Sequence, residues 1–191
     1  MSDEIKQKPK RKPGMGKSKG NGYESKIAKI LANSLSPLKF IRTPGSGARL
    51  GGKNFEKFSD LFGEDAMKIF VGDVVPTNEK NTGVKFLHSV ETKFYANQDT
   101  FTTLAAGTAN VYKWFEESVS DAKKIDKNPI LIFKWNHTAN FVAFDPTHPL
   151  APAVELKPKF SLVTHGEVPR TLNIYVLEDL LKFPDFWIQK L

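Results

Sequence analysis

The sequence predicts an α/β fold in which helices flank a mixed β-sheet, and three observations carry that expectation. Apolar residues recur at helical three-and-four spacing in two well-separated segments, near residues 23–35 and 100–124. Short runs rich in branched and aromatic residues, typified by Ile130-Leu131-Ile132-Phe133-Lys134-Trp135, read as strands. Their order, α-β-β-β-α-β-β, interleaves the two kinds of element as a mixed sheet covered by helices requires. At 191 residues the chain suits a single domain, and a folded unit of this size buries roughly 70% of the surface its unfolded chain exposes.

The elements follow in order. Residues 1–20 contain Pro9, Pro13, Gly14, Gly16 and Gly20 without apolar periodicity, and are expected to be a disordered basic arm preceding one domain over 21–191. Asn21 is placed to cap a helix from Tyr23 to about Leu35, with Ile27, Ile30 and Leu31 on its apolar stripe and Ser36-Pro37 as its stop. Glu24 then falls in the first turn, where the helix dipole favours an acid. Leu38 to Arg42 alternates as a first strand. The following Thr43 to Lys53 has four glycines in eleven residues together with Ser46, Arg49 and Lys53, a loop whose amides could approach an anion. It lacks the Gly-Lys-Ser/Thr ending of a nucleotide-binding P-loop, so ATP is not implied.

Residues 55–62 suggest a short helix, Ile69 to Val75 a strand, Pro76 to Gly83 a connecting loop, and Val84 to Phe94 a second strand. A long helix over Thr100 to Lys124 carries Val111, Trp114, Phe115 and Val119, with Gly107 as its weak point. The strand Ile130 to Trp135 turns at Asn136-His137 into a partner over Ala139 to Phe144. Four prolines between Asp145 and Pro158 mark an irregular excursion. Strands at 160–164 and 171–176 and a short helix from Leu177 complete the domain.

Composition excludes several classes. There is no cysteine, hence no disulfide and no cysteine-based zinc site. The four histidines, His88, His137, His148 and His165, show no paired ligand spacing. No apolar run approaches the ~20 residues needed to span a bilayer, and none near the start suits a signal peptide, so a cytoplasmic setting is expected. The net charge of +7 is uneven: residues 1–20 carry seven basic side chains against Asp3 and Glu4, while the rest carries 21 against 19. A basic arm containing Lys17 and Lys19 on a balanced domain suits a polyanion partner, and equally a solubility tail or localisation signal.

The candidate site lies in Gly72-Asp73-Val74 and Val90-Glu91-Thr92-Lys93. On a strand Glu91 and Lys93 share one face, and if the two strands pair, Asp73 sits beside Glu91. Adjacent carboxylates repel unless a divalent cation such as Mg²⁺ bridges them, and Lys93 would orient a water or a phosphate oxygen. The competing reading is a hairpin with a solvated salt-bridge face.

Taken together, Lys19-Gly20-Asn21-Gly22-Tyr23-Glu24, Arg42-Thr43-Pro44-Gly45-Ser46-Gly47, Gly72-Asp73 and Val90-Glu91-Thr92-Lys93 occur in the order seen in PD-(D/E)XK nucleases. The chain resembles the archaeal-type Holliday junction resolvases and their phage-encoded relatives over about residues 19–136. The resemblance implies a restriction-endonuclease-like fold, with Asp73 and Glu91 as main metal ligands, Glu24 and the Thr92 carbonyl as further ligands, and Lys93 positioning the attacking water. It places the Ser46 loop on DNA near the scissile phosphate. Gly72 stands where the family's name has proline, and the long helix offers Glu116-Glu117 where relatives often carry glutamine, leaving that supporting role unassigned.

The implied activity is Mg²⁺-dependent hydrolysis of DNA at four-way or other branched junctions, as in recombination and repair, with Mn²⁺ as a substitute metal and a homodimer making matched incisions. Lys17, Lys19, Arg42, Ser46, Arg49 and Lys53 are the expected phosphate contacts. The alternatives are a nuclease of the same chemistry on duplex, flap or single-stranded DNA, a non-catalytic DNA-binding protein and, last, an RNA-binding or ribosome-associated protein, which would explain the basic arm but not an acidic pair beside Lys93.

Overall fold

The structure is a computed structural model and describes residues 15–43, 70–151, 155–164 and 169–191. Among these, α1 (Met15–Ser34) leads into β1 (Phe40–Arg42). Next come β2 (Val74–Pro76), a 3₁₀ turn (Glu79–Asn81), β3 (Val84–Phe86) and β4 (His88–Tyr95). Two helices follow, α2 (Phe101–Ala105) and α3 (Asn110–Lys124), then β5 (Asn128–Trp135) and β6 (Phe141–Phe144). The chain continues with β7 (Phe160–Val163), β8 (Thr171–Val176), α4 (Leu177–Leu180), α5 (Pro184–Trp187) and β9 (Ile188–Lys190).

Seven strands form one sheet in the order β1-β2-β4-β5-β6-β8-β7. The pairing of β4 with β5 is parallel, with Glu91 opposite Leu131 and Lys93 opposite Phe133, and the other neighbours are antiparallel. Parallel neighbours need a long crossover, and α2 with α3 supplies it. The α/β architecture with a mixed sheet is therefore the expected one.

Alternation along the strands sends the two apolar sets to opposite faces. On one face Ile27, Leu31 and Leu35, from α1 and the residue after it, meet Val74, Val90, Ile130, Ile132 and Val142, and the C-terminal Leu180, Phe186 and Trp187 close the same core. On the other face Val111, Trp114, Phe115 and Val119 of α3 cover Leu131, Phe133 and Ala143. Completely burying one such aliphatic or aromatic side chain contributes about 1.5–3 kcal/mol, so each helix is fixed chiefly by its stripe.

Several boundaries differ from the sequence expectation. Helix α1 already holds Met15, the first described residue, so residues 15–20 are helical and Asn21 lies inside the helix rather than capping it. This part of the helix has a tertiary anchor: Lys19 Nζ donates to Asn136 Oδ1 at 2.8 Å and lies 3.9 Å from the centre of the Phe94 ring. Residues 1–14 and the helix expected at 55–62 lie outside the described residues. The run 84–94 is two strands, because β3 leaves the main sheet to pair with β9, while the Leu87 amide donates to the Trp187 carbonyl. The long helix breaks where expected, at Gly107, whose φ of +69° closes α2 before α3 starts.

Candidate active site

The site forms on the α3 face of the sheet, at the start of β2 and the middle of β4. Asp73 precedes β2 by one residue and is held at both ends of its peptide: its amide donates to the Val90 carbonyl at 2.8 Å, and its carbonyl accepts from the Thr43 amide at 2.9 Å. Gly72 makes this approach possible. Its φ of +92° is closed to proline, and a Cβ there would meet the Val90 carbonyl oxygen at 3.1 Å. The departure from the proline of the family motif therefore has a local steric cause.

Strand β2 opposes β4 only at Val74 and Val90, which leaves the Thr92 amide without a neighbouring strand on that side. The Asp73 carboxylate takes its place: Oδ2 accepts from Thr92 N at 2.8 Å and from Thr92 Oγ1 at 3.2 Å. A strand residue directs its N–H and C=O to the same side, so the Thr92 carbonyl faces the edge at which Asp73 sits.

Glu91 keeps about 12% of its side chain exposed, and its carboxyl is pushed well above the usual range, first by burial and then by the nearby Asp73 charge, against the opposing pull of Lys93. Lys93 Nζ lies 2.6 Å from Glu91 Oε1 and 2.9 Å from Glu117 Oε2. Burial alone would lower its pKa, but Glu91 and then Glu117 hold the ammonium above its ordinary value. Lys93 is thus a fixed positive charge clamped between strand and helix. Asp121, one turn beyond Glu117 on α3, adds to the negative potential at Glu91.

The expected residues are distributed unevenly. Asp73, Glu91, Thr92 and Lys93 come together. Glu24 is ten residues into its helix rather than in the first turn, so the dipole reading of its position is corrected; it accepts instead from Arg42 Nη1 at 3.3 Å. Arg42 is correspondingly engaged with a carboxylate, and Lys19 with Asn136 and Phe94. Ser46, Arg49, Lys53 and the side chain of Lys17 lie outside the described residues. Among the described residues no three His, Asp or Glu side chains gather as a metal-binding group. Glu117 is the residue that sequence reasoning left without a role. The signal was its place on α3, but only the fold sets that face against Lys93.

The pair Asp73 and Glu91 fits a divalent cation. Two hard oxygen donors lie close enough for the Asp73 charge to raise the Glu91 carboxyl, and a carbonyl faces the same edge. An acidic residue at the foot of one strand, facing an acidic residue and a lysine on the neighbouring strand of a mixed sheet flanked by helices, is the arrangement of a PD-(D/E)XK nuclease. Residues 15–187 match the family described as "Phage putative PDDEXK endonuclease", and the chain belongs to that family. No curated protein and no solved structure matches the chain.

Proposed function

We propose that the chain is a Mg²⁺-dependent endodeoxyribonuclease that cleaves four-way or other branched DNA, acting as a homodimer. The observation that supports the chemistry most directly is geometric: the Asp73 carboxylate is held on the Thr92 amide at 2.8 Å, and the residues either side of Thr92, Glu91 and Lys93, lie 2.6 Å apart. A bound divalent cation would lower the pKa of a water and polarise the phosphoryl oxygen. Asp73, Glu91 and the Thr92 carbonyl would hold it, with Glu24 as a further ligand. Lys93 supplies positive charge to the phosphorane-like transition state and orients the attacking water. Glu117, 2.9 Å from Lys93 Nζ, would keep the ammonium in place if Glu91 were engaged in holding a cation.

Structure-selective recognition follows from backbone contacts that read no base sequence, for which the basic arm and the loop bearing Ser46, Arg49 and Lys53 are suited. Two matched incisions across a four-way junction require two sites related by a two-fold axis.

The test sets synthetic four-way junctions beside linear duplex, flap and single strand, with Mg²⁺ or Mn²⁺. Branched substrates should be cut in preference, and Asp73→Ala or Glu91→Ala should abolish cutting while DNA is still bound. Unchanged DNA processing in both variants would identify a non-catalytic DNA-binding protein. Sedimentation with and without junction reads the oligomeric state.

A further inference from the structure

Strand β4 does not end at Lys93. Two residues on, Tyr95 projects from the same face as Glu91 and Lys93, about 7 Å further along the strand at ~3.4 Å per residue. Its side chain is 47% exposed, yet it is not loose: the ring lies against Trp114 with centroids 4.7 Å apart. Trp114 is itself buried and backed by Phe133, so one side of the Tyr95 ring rests on core and the other meets solvent. Single exposed aromatics are common on protein surfaces. This one is set apart by its rigid backing and by its place in line with the reacting residues.

The surroundings favour a nucleotide. Along β4, Lys93 stands between Tyr95 and Glu91, and on α3 exposed Lys113 adjoins Trp114, the residue that backs the ring, so a phosphate chain following the strand from the site would have Lys113 as a partner not paired with Glu91 or Glu117. A second aromatic, Phe101, opens α2 six residues on and is 86% exposed. A base inside a continuous duplex is stacked on both sides and cannot offer its face to a side chain, whereas an unpaired base can.

We infer that Tyr95, backed by Trp114, is a stacking platform for an unpaired base next to the scissile phosphate. This rests on the nuclease reading above and narrows its branched substrate to DNA with an unpaired nucleotide at the cleavage position, as at a flap or an open branch point.

The test uses the full chain with Ca²⁺ in place of Mg²⁺ to measure binding without turnover. The probes are a single strand, a flap carrying 2-aminopurine at its first unpaired position, and a linear duplex. Wild-type protein should quench 2-aminopurine. Tyr95→Ala and Tyr95→Leu should abolish the quench and weaken flap and single-strand binding by about 5- to 150-fold, the range for loss of one base–aromatic stack. Tyr95→Phe should keep both properties, and duplex binding should change less than about twofold in every variant. Equal flap binding by Tyr95→Ala and wild type, a matching loss on duplex, or failure of Tyr95→Phe would each overturn the platform. Because these are binding readouts, they stand apart from the Asp73→Ala cleavage test, which can fail or succeed independently.

Discussion

The backbone amide of Thr92 donates to the Asp73 carboxylate at 2.8 Å, so a side chain proposed to hold metal also completes the hydrogen bonding of the strand that carries Glu91 and Lys93. Two substitutions separate these duties. Asp73→Asn keeps an oxygen that can accept from Thr92 and removes the charge that repels Glu91. In EDTA it should unfold at the wild-type temperature or above while losing metal-dependent cleavage. Asp73→Ala leaves the amide unmet and should cost about 1–3 kcal/mol as well. Urea unfolding of both variants beside a cleavage assay checks the pair, and a large destabilisation by Asp73→Asn would contradict it.

The clamp on Lys93 makes a second prediction. Glu117→Ala should lower kcat by about 10- to 100-fold, the usual effect of removing a partner that orients a site residue, with little change in KM. Glu117→Gln retains an acceptor at the same reach and should recover most of the rate. Steady-state kinetics on one branched substrate decides it: a loss confined to KM would place Glu117 in substrate binding instead.

Relief of the Asp73–Glu91 repulsion should appear as metal-dependent stability. A cation that binds only the folded chain adds about 2.7 kcal/mol at one hundred times its Kd. Thermal unfolding should therefore shift upward with Mn²⁺ or Mg²⁺, reverse with EDTA, and become insensitive to metal in Glu91→Gln. A shift that persists in Glu91→Gln would put the ion elsewhere.

Much of this was legible in the residues. Period-two and period-3.6 patterns located most of the strands and helices because those faces are buried, and Gly107 announced the break in the long helix. Alternation alone placed Glu91 and Lys93 on one face, and their ion pair at 2.6 Å agrees. What escaped was set by distant partners. The helical turns before Asn21 include Lys19, which meets Asn136, 117 residues away, and the division of β3 from β4 depends on β9 at the far end of the chain. Neither pairing leaves a local pattern. The role of Glu117 escaped for the same reason, since its neighbour Glu116 is as acidic and instead lies 3.7 Å from Arg170.

A last prediction concerns acid. His88 Nε2 donates to the Phe186 carbonyl at 2.7 Å, its Nδ1 is buried without a partner among the described residues, and its ring stacks on His148 at 5.2 Å. Burial, aided by the charges of His148 and Lys127, lowers the His88 pKa to about 3, and burial lowers that of His148 to about 4. The unfolded chain therefore takes up these protons near pH 6.5 while the folded chain refuses them. Their contribution is complete above pH 6.5 and is lost as pH falls towards the folded values, by up to about 1.4 kcal/mol per pH unit for each histidine. Glu91 acts in the opposite sense, because its raised pKa lets the folded chain bind a proton first, so the wild-type curve alone mixes the two effects. His88→Leu isolates one of them. At pH 8 it should be less stable by about 1–3 kcal/mol, since the Phe186 carbonyl loses its donor, and that deficit should shrink as pH falls from 6.5 to 4.5. Urea denaturation at half-unit pH steps measures the difference, and a deficit that stays constant over this range would mean that His88 does not titrate apart from the unfolded state.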